Sequence, residues 1–113
     1  MQTWSFAQDA CESKNANLVT INSAAKQTEI NSLVGWGYIW IGYRLVNGDF
    51  QWVSGAKKSY FNWGRPEPNN LSGEACVQSQ HSPIYSGWHH INCNGALAQS
   101  FVCETTSLSG NNN

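Results

Sequence analysis

Charge is scarce in this chain: of 113 residues, six are Lys or Arg and seven are Asp or Glu, which leaves a formal net charge of −1. Such a chain offers no basic surface for nucleic acid or for an anionic membrane. It also has no apolar run near the roughly 20 residues that a membrane-spanning helix needs. Its length suits one domain, and no internal repeat is visible. The sequence therefore predicts one domain with no nucleic-acid partner and no membrane span.

Two catalytic or metal-binding motifs are missing as well. No Cys-x-x-Cys pair occurs, which argues against a cysteine zinc site and against thioredoxin-like chemistry. No His-Glu-x-x-His motif occurs either, and no nucleophile stands at a recognised spacing from a base. The chain is therefore predicted not to be an enzyme.

Cysteine is present in an even number, and the four residues are Cys11, Cys76, Cys93 and Cys103. In a small chain rich in Asn, Ser and Gly, this favours disulfides and an oxidising compartment. Spacing alone leaves three pairings open. We therefore expect a secreted protein. Because Met1 leads directly into a helical pattern without a signal peptide, we interpret it as the start of a mature form.

The first third of the chain carries two helical patterns. Thr3 is suited to cap a helix over about residues 4–14. Asn22 or Ser23 is suited to cap a second helix that continues to about Val34. The residues predicted to be buried on this second helix are Ile30, Leu33 and Val34.

After the second helix, β-branched and aromatic residues replace the helical pattern. The turn signal Asn47-Gly48-Asp49 predicts a hairpin. Residues 55–73 show little periodicity, and a loop of this length inside a compact domain is often functional. Helices followed by hairpins predict the α+β class. We predict strands at 38–43, 50–53, 75–80, 87–89 and 100–105, an apolar connector at 18–21, and a disordered tail at 107–113 after a domain of residues 1–106.

Several motifs follow one another in a characteristic order. They are Trp4…Ala7…Cys11, Ala16-Asn17-Leu18-Val19-Thr20-Ile21, Trp40-Ile41-Gly42, Trp52-Val53-Ser54-Gly55, Asn62-Trp63, Glu67-Pro68-Asn69, Glu74-Ala75-Cys76-Val77, Trp88…Cys93 and Phe101-Val102-Cys103-Glu104. In this order and spacing they resemble a C-type lectin-like domain over nearly all of residues 3–104. The resemblance implies two helices packed on short antiparallel sheets, a long irregular ligand-binding loop and two disulfides.

The resemblance also implies how the chain ends are arranged. It pairs Cys11 with Cys103 and Cys76 with Cys93. Similar domains have a strand before the first helix that pairs with the C-terminal strand, whereas little chain precedes Trp4 here. The strand around Phe101 is therefore expected to present an open edge, and an open edge favours a homodimer.

By the same resemblance, Glu67-Pro68-Asn69 would bind a sugar and calcium together. Glu67 offers carboxylate acceptors, and the Asn69 amide offers both an acceptor and donors. Two neighbouring sugar hydroxyls could each ligate the ion, donate to the acid and accept from the amide. The Glu…Asn order is associated with mannose-type sugars, and Gln…Asp with galactose. Glu74 would add a second carboxylate to the ion.

The chain departs from this pattern at His89-His90, where similar sugar-binding domains have Asn-Asp after the Trp. Calcium takes oxygen ligands, whereas imidazole suits zinc and similar ions. Three outcomes are open. Calcium binds weakly with help from the sugar, zinc binds in its place, or no metal binds at all. Because neighbouring strand residues point to opposite faces, one imidazole at the ion is favoured over two. A second departure is Ala75, which stands where an auxiliary calcium site usually has Asp.

The sequence thus predicts a secreted lectin that binds mannose-type glycans through a divalent ion, either calcium or, as the alternative, zinc. The other function left open is a C-type lectin-like domain that has lost sugar binding and contacts a protein. The intact Glu67-Pro68-Asn69 favours the first, and Ala75 and His90 favour the second. The residues predicted at both the sugar and the metal are Glu67, Asn69, Glu74, His89 and His90.

Overall fold

The computed structural model describes residues 3–64, 75–83, 86–93 and 100–105. Helix α1 spans Trp4–Glu12 and helix α2 spans Ala24–Val34. Both begin where a side-chain oxygen satisfies a free backbone N–H: the Thr3 hydroxyl accepts from the N–H of Phe6, and the Ser23 hydroxyl accepts from that of Lys26. The two predicted helices are confirmed, and α1 ends two residues earlier than expected.

Seven strands, in two sheets, lie within the part of the chain that the structure describes. One sheet of five strands has the order β3-β2-β4-β5, with β6 paired to β2, and a second sheet pairs β1 with β7. The pairing of β6 with β2 is parallel, and the other pairings are antiparallel. The strands are β1 (Ala16–Leu18), β2 (Gly37–Val46), β3 (Asp49–Trp52), β4 (Cys76–His81), β5 (Ser86–Ile91), β6 (Ser100–Phe101) and β7 (Cys103–Thr105). The fold is α+β, as predicted.

The predicted hairpin is the β2–β3 pair. Asn47 and Gly48 connect the two strands, and their φ angles are 51° and 83°. Positive φ at both central residues is the requirement of the type I′ turn, whose twist matches that of the flanking strands. The turn therefore sets the register in which Val46 lies opposite Asp49.

Three expectations from the sequence were wrong. The predicted strand 100–105 is interrupted at Val102, and its two parts, β6 and β7, lie in different sheets. The residues between the helices are not only a connector, since β1 begins at Ala16 and pairs with β7. Leu33 is not buried but 69% exposed. One face of α2 carries Gln27, Ile30 and Val34, which follow one another at intervals of three and four residues. Leu33 lies beside this face.

Two clusters of buried side chains pack against the main sheet. The first, which we call the disulfide cluster, consists of Trp4, Ala7, Cys11, Ala16, Leu18, Trp40, Cys76 and Cys93. The second, which we call the aromatic cluster, consists of Val19, Ile21, Ile30, Ile39, Ile41, Tyr43, Phe50, Trp52, Ala75, Val77 and Trp88. Trp63 is half-buried and packs against the aromatic cluster.

Both implied disulfides are confirmed. Cys11 on α1 is bonded to Cys103 on β7, across 92 positions of sequence. Cys76 at the start of β4 is bonded to Cys93 just after β5, across 17 positions. The first therefore ties the two ends of the domain together, and the second closes the β4–β5 hairpin at its base.

The C-terminal strands have partners within the fold. Phe101 on β6 lies beside Trp40, and the carbonyl of Val102 accepts a hydrogen bond of 2.9 Å from the N–H of Val19. The strand around Phe101 is thus paired along one edge, and the homodimer stays a prediction. Among the described residues, no helix is both long and apolar enough to cross a membrane. The predicted tail, residues 107–113, lies outside the described residues.

Candidate functional site: the β5 strand and the start of the long loop

Trp88 on β5 is the centre from which the site is built. Its side chain is fully buried, and its ring makes edge contacts with those of Tyr43, Trp52 and Trp63 at centroid distances of 5.6, 5.7 and 5.8 Å. Edge-to-face packing at these distances suits the charge distribution of aromatic rings. The indole N–H is not left unpaired, because it donates to the Gln27 side-chain oxygen at 2.8 Å.

Gln27 on α2 connects three parts of the site. Its oxygen also accepts from the Asn62 amide at 3.2 Å, and its own amide donates to Asn31 and Ser79. The side chain is 6% exposed. A buried amide satisfied by four partners holds α2, β4, β5 and the start of the long loop in one arrangement.

Residues 62–64 of the long loop, which lead into Glu67-Pro68-Asn69, are fastened directly to β5. The Asn62 carbonyl accepts from the N–H of Trp88 at 2.8 Å, and the N–H of Gly64 donates to the Trp88 carbonyl at 3.0 Å. Gly87 permits this approach, since a Cβ added there would lie 2.8 Å from the Gly64 Cα. This part of the loop therefore lies against the strand that carries the two histidines.

His89 lies half-buried on β5 and is oriented by β4. Its Nε2 lies 3.0 Å from the Gln80 side-chain oxygen. Because an amide oxygen can only accept, Nε2 is assigned as the nitrogen that carries the proton. Gln78, on the same face of β4 and directly opposite His89, is 2% exposed.

His90 lies on the other face of β5. Its ring centroid is 6.2 Å from that of Phe50 and 6.3 Å from that of Trp63. This is the face of the aromatic cluster, on which Trp88 also lies. The two imidazoles thus have different surroundings, as strand alternation predicts, and do not converge on one point.

The described residues alone do not make a metal centre. No group of three His, Cys, Asp or Glu side chains that could hold an ion occurs among them. Glu67, Asn69 and Glu74 fall outside the described residues, so their contribution stays a prediction. Ala75 is 4% exposed and belongs to the aromatic cluster, and its methyl group cannot ligate an auxiliary ion.

The Tyr43 phenol is a further polar group of this region. Burial, and secondarily the charge of Asp49, raise the pKa of Tyr43 above its ordinary value. The ring lies 4.3 Å from that of Trp52 and 5.5 Å from that of Phe50. Tyr43 is therefore held neutral as a packing residue of the aromatic cluster.

Sequence reasoning missed Gln27 and Gln80. A single Gln in a helix or strand carries no signal of a buried role, because its partners come from distant parts of the chain. Gln27 bonds to Trp88 across 61 positions of sequence. Only the fold shows that these two amides position the side chains around β5.

Comparison with known proteins agrees with this architecture. The family model described as the Lectin C-type domain matches residues 1–105. The C-type lectin lectoxin-Lio3 of Erythrolamprus poecilogyrus is 33% identical over 96% of this chain and 72% of its own length. The C-type mannose receptor 2 of Rattus norvegicus is 32% identical over 90% of this chain, which spans only 7% of the receptor.

Solved structures give the same result. The C-type lectin domain of murine dendritic cell inhibitory receptor 2, in complex with N-glycan, superposes with a TM-score of 0.78 at 26% identity, over 93% of this chain and 84% of that one. A calcium-independent type II antifreeze protein superposes with a TM-score of 0.79 at 28% identity, over 90% and 77%.

These matches cover nearly the whole sequence, and they agree with the two helices, the sheets and both disulfides. Domains of the matched family generally bind calcium, although the antifreeze protein is described as calcium-independent. The family binds carbohydrate and is not enzymatic. The chain belongs to the C-type lectin domain family.

Proposed function

We propose that this chain is a lectin module that binds mannose-type sugars through a divalent ion. The observation that supports this is the pair of backbone hydrogen bonds between Trp88 and residues 62 and 64. They fasten the start of the long loop to β5, and the loop continues into Glu67 and Asn69. We infer that these two side chains act next to the histidines of β5.

The chemistry follows from the donor atoms. The Glu67 and Glu74 carboxylates and the Asn69 amide oxygen are hard ligands that suit calcium. Of the two imidazoles we assign His90 to the ion, because its ring lies beside Trp63 on the face where the loop begins. His89 is assigned a supporting role through its bond to Gln80. Zinc is the alternative ion, because an imidazole joins the carboxylates.

The ion would supply a fixed positive charge that two neighbouring sugar hydroxyls can ligate. The same hydroxyls would donate to Glu67 and accept from the Asn69 amide. We infer a mannose-type ligand from the Glu…Asn order, and the rat relative named a mannose receptor agrees with it. Both disulfides support a secreted protein, since such bonds persist in oxidising compartments.

Retention on immobilised mannose, measured with calcium, with zinc and with chelator, tests the proposal. We expect retention with one divalent ion and release by chelator. Glu67→Gln combined with Asn69→Asp should abolish mannose retention while leaving the fold intact. His90→Ala should weaken retention more than His89→Ala, which serves as the matched control. Equal retention under all three conditions would contradict an ion-bridged site.

A second function is favoured by one specific observation. Ala75 is buried in the aromatic cluster at a position where an auxiliary calcium ligand is usual, and one structural relative is described as calcium-independent. A domain that contacts a protein and has lost sugar binding would show no retention with either ion. If a protein shown to be folded by its cooperative unfolding gave that result, the protein-binding function would replace the lectin proposal.

A further inference from the structure

Trp36 is exposed in a chain that buries most of its tryptophan. Its side chain is 65% exposed, whereas Trp40 and Trp88 are fully buried. A large aromatic side chain left in water forgoes the stabilisation that burial gives. An exposed indole of this kind is therefore a candidate contact residue.

The backbone holds this side chain outward. Gly35 and Gly37 flank Trp36 with φ angles of 74° and 132°, and a Cβ added at either would meet no atom within 4 Å. It is the backbone conformation, not lack of space, that requires glycine at both positions. The chain thus leaves α2 and enters β2 through a bend that presents the indole to solvent.

His81 packs against the Trp36 side chain, and the two rings form one surface. The two ring centroids lie 4.5 Å apart with an interplanar angle of 39°. His81 is the β4 partner of Gly37, and its Nδ1 lies 3.2 Å from the Ser86 hydroxyl. The surface, which we call the Trp36 platform, therefore joins an aromatic face to polar groups at its edge.

The Trp36 platform stands at the end of the sheet where the long loop is fastened. Ser86, opposite His81, is followed by Gly87, which touches Gly64. Along β5, Ser86 and His89 are about 10 Å apart at the usual rise of a strand. This separation is too long for one sugar ring and suits a ligand that extends over several rings.

We propose that Trp36 and His81 form a second sugar subsite, which stacks against the apolar face of a ring farther along a mannose-type oligosaccharide. This rests on the proposed lectin function. The C–H groups on one face of a pyranose carry slight positive charge and match the negative face of the indole. The His81 and Ser86 polar atoms at the rim suit the ring hydroxyls. The mixture of flat and polar groups favours a sugar over an apolar protein surface.

Calorimetric titration of mannose and of a linear mannose oligosaccharide, both with calcium, tests the subsite. The wild-type protein should bind the oligosaccharide about tenfold more tightly, the scale of one good stacking contact. Trp36→Ala should remove this gain and leave mannose affinity unchanged. Trp36→Tyr should restore part of it. Phe6→Ala, which removes another exposed aromatic on α1, should change neither affinity.

The outcomes separate this proposal from the lectin proposal. If Trp36→Ala leaves both affinities unchanged, the subsite is wrong and the primary site stands. If the variant weakens both sugars equally, Trp36 belongs to the primary site and the second subsite is likewise wrong. Wild-type protein that binds neither sugar, with calcium or with zinc, overturns both proposals. If the wild-type protein self-associates, and Trp36→Ala abolishes this while leaving sugar affinity unchanged, the Trp36 platform binds a second copy of the chain and not a sugar.

Discussion

The disulfide cluster and the aromatic cluster pack on the same sheet but are held together differently. The disulfide cluster contains cysteines from both covalent cross-links. The aromatic cluster has no cross-link and depends on packed rings and on the hydrogen bonds of one buried amide, Gln27. The Cys11–Cys103 disulfide thus joins the first helix of the domain to its last strand.

The difference corresponds to a division of roles. His90, residues 62–64 of the long loop and the Trp36 platform lie around the aromatic cluster or at the sheet end beside it, whereas His89 lies on the opposite face of β5. On the α1 side, the Trp4 indole donates to the Ile41 carbonyl at 2.8 Å, and Gln8 forms hydrogen bonds with Glu12, Asn17 and Leu18. We infer that the disulfide cluster stabilises the domain and that the aromatic cluster positions the ligand-binding groups.

Breaking each cross-link gives the largest expected effect. Replacing Cys11 and Cys103 with Ala should lower the free energy of unfolding by roughly 4–5 kcal/mol, because the bond closes a loop of 92 positions. Replacing Cys76 and Cys93 should cost about 3 kcal/mol, since their loop spans 17 positions. Denaturant unfolding of the two variants measures both values. If removing the Cys76–Cys93 bond lowered the free energy of unfolding more than removing the Cys11–Cys103 bond, the Cys11–Cys103 bond would not be the more stabilising of the two.

An intermediate effect is expected from the amide that holds the aromatic cluster. Gln27→Leu should lower the free energy of unfolding by roughly 1–3 kcal/mol, because it leaves the buried Trp88 indole N–H without its acceptor. Gln51→Leu is the matched control, since Gln51 is exposed, and should change stability by about 0.5 kcal/mol or less. Equal stabilities of the two variants would show that the aromatic cluster does not depend on Gln27.

The smallest effect is expected from alkaline pH. The pKa of Tyr43 is raised above 10.0 in the folded chain, first by burial and then by Asp49. The neutral phenol therefore stabilises the fold fully below pH 10, and this contribution is lost as pH rises from there toward the folded pKa. Tyr43→Phe should unfold with a shallower loss of stability above pH 10 than wild type. Identical pH profiles for the two proteins would contradict the burial of an ionisable phenol.

Much of the fold could be predicted because its signals are local. Thr3 and Ser23 cap helices through side chains that contact the next turn, and Asn47-Gly48 adopts the backbone angles that its residue types favour. Strand β1 could not be predicted in this way, since three residues show no period and their partner lies on β7. The parallel pairing of β6 with β2 likewise depends on distant chain segments.

In the candidate site, too, local features could be predicted from the sequence and long-range contacts could not. Strand alternation correctly separated the two imidazoles, because alternation is a property of every strand. The partners of His89 and His90 were not foreseen, since Gln80, Phe50 and Trp63 are brought to β5 by the fold. The exposure of Trp36 was missed for a similar reason: it follows from the bend at its flanking glycines and not from hydrophobicity.

The most direct test of the central claim is a map of backbone amide shifts on addition of a mannose oligosaccharide with calcium. We expect changes at His89, His90 and Trp63, with further changes at Trp36 and His81. The groups around Gln8 and Asn17, on the α1 side, should stay unchanged. Changes confined to the α1 side, or no changes at saturating sugar with calcium or zinc, would contradict the assignment of ligand binding to the β5 end of the domain.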